Sequence, residues 1–118
     1  YVYVADTGNH RIQKFDSNGS YISTNGTNGS YGSSNGQFKS PSGIAVDSHS
    51  YVYVADTGNH RIQKFDSNLN YITQWGSLGQ GDGQFKFPSG VGVGSSGRVY
   101  VVDSGNHRIQ EFNHTKNE

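Results

Sequence analysis

The chain has 118 residues, nine Lys plus Arg against nine Asp plus Glu, no Cys, 17 Gly and eight Tyr. Zero net charge argues against nucleic acid or an anionic membrane surface as the default partner, since both favour a basic face. The missing cysteines exclude disulfides, a thiolate nucleophile and a Cys-ligated metal, and they fit a cytosolic protein and a disulfide-free secreted one equally.

A hydrophobic share of 31% is low enough to suggest disorder. Balanced charge, ordered alternation and the many Tyr point instead to folded sheet. No apolar run approaches the ~18–20 residues of a membrane span, and none reads as a signal peptide. The chain starts in mid-pattern at Tyr1 without a Met, as expected of a processed product or an excised fragment.

In chain order the elements repeat. The string VYVADTGNHRIQKF occupies 2–15 and again 52–65, and VYVVDSGNHRIQEF occupies 99–112. The shared Asn recurs at Asn9, Asn59 and Asn106, spacings of 50 and 47 residues. A period of this length marks stacked supersecondary units, propeller blades before a solenoid. Residues 1–26 read as three strands, 27–40 as a Gly/Ser/Asn-rich inter-blade loop, and 41–76 as a complete four-stranded unit. A second inter-blade loop follows at 77–87, then three strands at 88–113 and a polar tail at 114–118.

The complete unit shows the logic. Pro41-Ser42-Gly43 is a turn signal and Ile44-Ala45-Val46 a short apolar strand. Tyr51 to Asp56 is apolar on both faces, with Val52 and Val54 one way and Tyr51, Tyr53 and Ala55 the other. Thr57-Gly58-Asn59-His60 reads as a tight hairpin loop, Gly58-Asn59 supplying the positive φ it needs. Arg61 to Phe65 and Asn70 to Trp75 complete an antiparallel meander. A strand apolar on both faces needs cover on both sides, which copies of the same sheet supply. The fold expected is all-β, with propeller blades of four-stranded antiparallel meanders and an incomplete ring. Ile44, Val46, Val52, Val54, Val2, Val4, Val91, Val93, Val99 and Val101 are expected between sheets. Both loops end in Gly-Gln-Phe-Lys, and they read as surface connections whose length varies cheaply.

The string ADTGNHRIQKF, preceded by PSGIAVD and followed by a Trp-Gly strand end, resembles the NHL repeat, with Arg-Ile after each Asn-His in place of the Leu of the family's name. The resemblance implies β-propeller blades, usually about six to a ring. Ten strands are too few for that, so the chain is expected either to belong to a longer propeller or to associate with other copies. Two copies would supply six blades, four of them three-stranded.

Candidate sites follow from the repeat. His10, His60 and His107 recur as a nominal zinc set, but each lies one blade from the next. Asp6/Arg11, Asp56/Arg61 and Asp103/Arg108 flank the hairpin and are expected to pair and pin it, with bidentate geometry open to Arg. With Asn9, Asn59 and Asn106 these form a structural hairpin motif. Asn18, Asn25, Asn28 and Asn113 head N-glycosylation triplets, Asn25 standing where the next unit has Trp75, and the triplets tip the compartment toward the cell exterior. No catalytic, cofactor-binding or metal-binding constellation is read, and no cofactor is expected.

The function expected is a non-enzymatic scaffold for protein interaction, adhesion or self-assembly. The resemblance implies two alternatives, an RNA-binding propeller and a metal-dependent lyase of the peptidyl-hydroxyglycine type. Neutral charge weighs against the first, and near-identical blades weigh against the second. The partner expected is another copy, held head-to-tail through the outer faces of Tyr1, Tyr3, Val99 and Val101.

Overall fold

Period-two alternation gives each repeat its strands, and the breaks fall at the polar runs between them. A computed structural model describes residues 1–26 and 29–113. The first sheet holds β1 (Val2–Asp6), β2 (Arg11–Phe15) and β3 (Tyr21–Gly26). The middle sheet holds β4 (Gly43–Val46), β5 (Val52–Asp56), β6 (Arg61–Phe65) and β7 (Tyr71–Trp75). The last holds β8 (Pro88–Val93), β9 (Arg98–Asp103) and β10 (Arg108–Asn113). Each sheet is an antiparallel meander in chain order. In register, Asp6 faces Arg11, Asp56 faces Arg61 and Asp103 faces Arg108, so every repeated hairpin closes on an acid–base pair.

The two faces of β5 serve two junctions. Val52, Val54 and Phe65 cluster with Ile12, Tyr3 and Ala5 of the first sheet. Tyr53, Ala55 and Ile62 cluster with Val99, Val101 and Phe112 of the last. All five residues of β5 are fully buried, as two-sided cover requires. Into each junction the connecting loop drives one phenylalanine, Phe38 into the first and Phe85 into the second, both fully buried. Burying a side chain of this size stabilises by about 1.5–3 kcal/mol. The loops are therefore not merely surface connections, because each carries a core residue.

The expected core needs correction at the ends. Val52, Val54, Val99 and Val101 are buried, and Ile44, Val91 and Val93 are half-buried, but Val2, Val4 and Val46 are 49%, 40% and 43% exposed. Val2 and Val4 lie on the face of the first sheet that no other described sheet covers. Val46 lies on the same side of β4 as Ile44, toward the first sheet, which has three strands among the described residues. The expected bare faces also change. Val99 and Val101 are covered and Tyr3 is half-buried, whereas Tyr100, Val102 and Ile109 are exposed.

Of the turn read at Pro41-Ser42-Gly43, Gly43 belongs to β4, and its counterpart Pro88-Ser89-Gly90 lies in β8, with a register shift between Pro88 and Gly90. Glycine is needed there for another reason: a Cβ on Gly43 would lie 2.9 Å from the Gly90 Cα. The inner strands of adjacent sheets meet backbone to backbone.

Candidate functional site

Each repeated hairpin turns through a single 3₁₀ turn, at Thr7–Asn9, Thr57–Asn59 and Ser104–Asn106. The left-handed residue is the histidine that follows, with φ of 55° at His10, 54° at His60 and 55° at His107. The expectation that Gly58 and Asn59 carry the positive φ is thus corrected. Gly58 serves a close approach instead. Its N–H donates to the Lys39 carbonyl at 2.8 Å, and a Cβ would meet that oxygen at 2.7 Å. Gly105 repeats this against Lys86.

The acid of the hairpin grips the loop that precedes its sheet. Asp56 Oδ1 accepts the Lys39 backbone N–H at 2.8 Å, while Oδ2 accepts Arg61 Nε at 2.7 Å and Asn59 Nδ2 at 3.0 Å. Asp103 does the same with Lys86, Arg108 and Asn106. Burial opposes ionisation of Asp103, but the Lys86, Asn106 and Arg108 donors outweigh it and hold the carboxyl below its ordinary range. The Arg11 donor, with Asn9, holds Asp6 down as well.

The arginines pair through Nε alone, so the expected bidentate fork does not form. Their remaining N–H groups reach loop carbonyls, from Arg61 to Ser33, Ser34 and Gln37 and from Arg108 to Gly81 and Gln84. Asn59 Nδ2 and Asn106 Nδ2 donate to the carbonyls of Gly32 and Gly79 at 2.7 and 2.8 Å. Gln63 accepts from Gly36 N–H and donates to the Gln37 carbonyl, and Gln110 treats Gly83 and Gln84 alike.

The other end of the hairpin grips the loop that follows. Thr7 Oγ1 donates to the Pro41 carbonyl at 2.7 Å, and Thr57 Oγ1 donates to that of Pro88 at 2.6 Å. His10 Nδ1 accepts the Ser40 N–H at 2.9 Å and His60 Nδ1 accepts that of Phe87 at 3.0 Å. Desolvation, with Lys39 and Lys86 nearby, lowers the His60 pKa, which keeps its ring neutral and accepting. The hairpin is a two-handed clamp, one hand on the loop before its sheet and one on the loop after.

Among the described residues the middle hairpin closes both hands, the first holds the loop after its sheet and the last the loop before it. Nothing among the described residues lies within 4 Å of a Cβ on Gly8. Between Leu78, Lys86 and the Gly105–His107 turn lies an open recess of about 540 Å³. Among the described residues no group of three or more His, Asp or Glu is placed to share a metal.

Sequence reasoning found Asp, Asn, His and Arg but missed Gln63, Gln110, Phe38 and Phe85. The signal was the Gly-Gln-Phe-Lys shared by both loops. From Gly32 and Gly79 onward the loops superpose in sequence with a constant offset of 47, so the three extra residues of the first fall between Gly26 and Gly32. Of the glycosylation candidates, Asn18 lies on an exposed turn and Asn113 is exposed at the end of β10. Asn25 stands in the Trp75 position opposite Ile12, half-buried, its amide donating to the Leu69 carbonyl at 2.6 Å. That amide is already engaged. Asn28 and the tail 114–118 lie outside the described residues.

Sheets of this form, packed face to face and stitched through their connecting loops, define a β-propeller-type blade protein whose sheets do not close into a ring. The NHL repeat model matches residues 2–15, 38–65 and 85–112, more than half of the chain, and the chain belongs to that family. No curated protein matches it.

Solved structures share the fold. An auxiliary nutrient binding protein from Bacteroides thetaiotaomicron superposes with a TM-score of 0.72 at 16% identity, over 92% of this chain and 33% of that one. A streptogramin B lyase gives 0.62 at 13%, over 98% and 37%. Virginiamycin B lyase from Staphylococcus aureus gives 0.60 at 17%, over 97% and 38%. The chain thus spans about a third of the length of these structures.

Proposed function

We propose that this chain is a non-enzymatic scaffold, a stack of NHL blades that holds its loops and faces in place for protein contact. The observation that carries this reading is the middle hairpin. Asp56, Thr57, Asn59, His60, Arg61 and Gln63 all bond to neighbouring loops, so the repeat's polar groups build junctions between blades. A lyase site of the kind the resemblance implies draws different ligands from different blades, whereas here the same residues recur at each hairpin. The likeness to the two lyases is one of fold, and no residue of theirs is carried over. Zero net charge favours a protein partner over RNA.

The test is metal analysis of gently purified chain, with retention on immobilised RNA across a salt gradient. The expected result is no stoichiometric metal and no salt-dependent retention. One metal per chain, or RNA held at low salt and released at high salt, overturns the reading.

A further inference from the structure

We infer that Asn18 is an acceptor for N-linked oligosaccharide, selected by the fold from among the Asn-x-Ser/Thr triplets that the sequence offers.

The triplet Asn18-Gly19-Ser20 lies in the turn between β2 and β3. Asp16 builds that turn. Its Oδ1 accepts the backbone N–H groups of Asn18 and Ser20, each at 2.9 Å, and its carbonyl accepts that of Gly19 at 3.0 Å. These contacts hold the backbone and leave the side chains free. The Asn18 amide and the Ser20 hydroxyl make no hydrogen bond among the described residues, and Asn18, Gly19 and Ser20 are all exposed. By contrast, the amides of Asn9, Asn59 and Asn106 are spent within the clamp and that of Asn70 on Asp66.

The middle unit shows that this exposure belongs to the position. Its turn at 66–70 has the same frame, Asp66 Oδ1 accepting from Asn68 and Asn70 at 2.9 Å and its carbonyl from Leu69 at 3.0 Å. There the first sheet packs against the turn, Tyr3 and Lys14 donating to the Ser67 carbonyl and Asn25 to that of Leu69. Leu69 is buried, yet Asn68 and Asn70 stay exposed. A sheet packed on this side therefore seats around the turn and leaves positions 18 and 20 in solvent, so the assignment holds whatever covers the first sheet. Asn68-Leu69-Asn70 itself lacks the third-position hydroxyl that an acceptor needs.

The other described candidates are held in strands. Asn25 of β3 pairs with Ile12 and is half-buried, and Asn113 of β10 pairs with Arg98. An amide whose backbone belongs to a ladder reaches a transferase only by breaking strand bonds. The turn at 16–20 lies at the strand ends opposite the hairpin clamp, so a bulky, polar glycan there displaces no clamp contact. The donor is a lipid pyrophosphate-linked oligosaccharide. Asn18 Nδ2 attacks the anomeric carbon, and the new C–N bond forms as the carbon–oxygen bond to pyrophosphate breaks. The lipid pyrophosphate leaves with the electron pair, and the amide nitrogen gives up one proton.

The folded chain, incubated with an oligosaccharyltransferase and its lipid-linked donor and then mapped by glycopeptide mass spectrometry, tests this. The expected result is a glycan on Asn18 and none on Asn25 or Asn113. Asn18→Gln and Ser20→Ala are each expected to abolish the modification at position 18, the second with the amide still in place. Far-UV circular dichroism confirms that both variants stay folded, as substitutions that keep the Asp16 backbone contacts should. Three results overturn the inference: Asn18 left unmodified, a glycan on Asn18 that survives Ser20→Ala, or a glycan on Asn25 or Asn113 of the folded chain.

Discussion

Phe87 meets His60 twice: its backbone N–H donates to Nδ1 at 3.0 Å, and its ring stands edge-on to the imidazole with centroids 4.5 Å apart. One residue of the second loop thus holds the middle hairpin by an N–H that only an unprotonated Nδ1 can accept.

Acid should therefore loosen the second junction. The folded His60 pKa is lowered by desolvation, with Lys39 and Lys86 adding to it and Asp56 opposing. The unfolded chain then binds the proton better, so this contribution is present above about pH 6.5 and lost as pH falls through the folded value. Thermal melts between pH 5 and 8 are expected to show a falling Tm on the acid side. His60→Asn, which tolerates the left-handed backbone, is expected to flatten that slope.

Phe85→Ala is expected to cost about 3–5 kcal/mol, because it empties a fully buried wedge that touches both sheets. Urea unfolding measures it. A cost equal to that of an exposed ring such as Phe87→Ala would show that the second loop does not hold its junction.

Arg61→Ala is expected to cost about 3–5 kcal/mol by leaving the buried Asp56 carboxylate without its guanidinium. The same change at Arg11, whose pair with Asp6 is partly open to solvent and which bonds to no loop carbonyl among the described residues, is expected to move the melting temperature far less. Equal effects at the two sites would show that the loop carbonyls held by Arg61 add nothing.

Gly58→Ala and Gly8→Ala make a matched pair. The first brings a methyl into the Lys39 carbonyl, the second meets open space. Only the first is expected to lower the Tm by several degrees in differential scanning calorimetry.

Val54→Ala is expected to cost about 1–3 kcal/mol. Val4→Ala, at the same repeat position but 40% exposed, is expected to fall within about 0.5 kcal/mol in dilute solution. Chemical denaturation of both variants at low concentration checks the contrast.

Strand number and order were legible because alternation has a period of two and the repeat shows it three times. The two faces of β5 were legible for the same reason. Alternation does not say which face of an end sheet meets its neighbour, and so Val2 and Val99 were expected to share an environment they do not share. Phe38 and Phe85 lie in Gly/Ser/Asn-rich runs with no periodicity, where a buried ring leaves no pattern. The clamp was half legible. Asp–Arg pairing follows from a tight hairpin, but the contacts of His60 and Gln63 are made to loops 27 residues away in sequence, beyond the reach of local spacing.

The loops keep a constant register from Gly32 and Gly79 onward, and the first is longer only before that point. Added residues there displace none of the atoms that the hairpins hold. The stretch directly after Gly76 is therefore a permissive graft point: a recognition peptide spliced between Gly76 and the anchored part of the loop would be displayed at the blade junction with both hands of the clamp still closed.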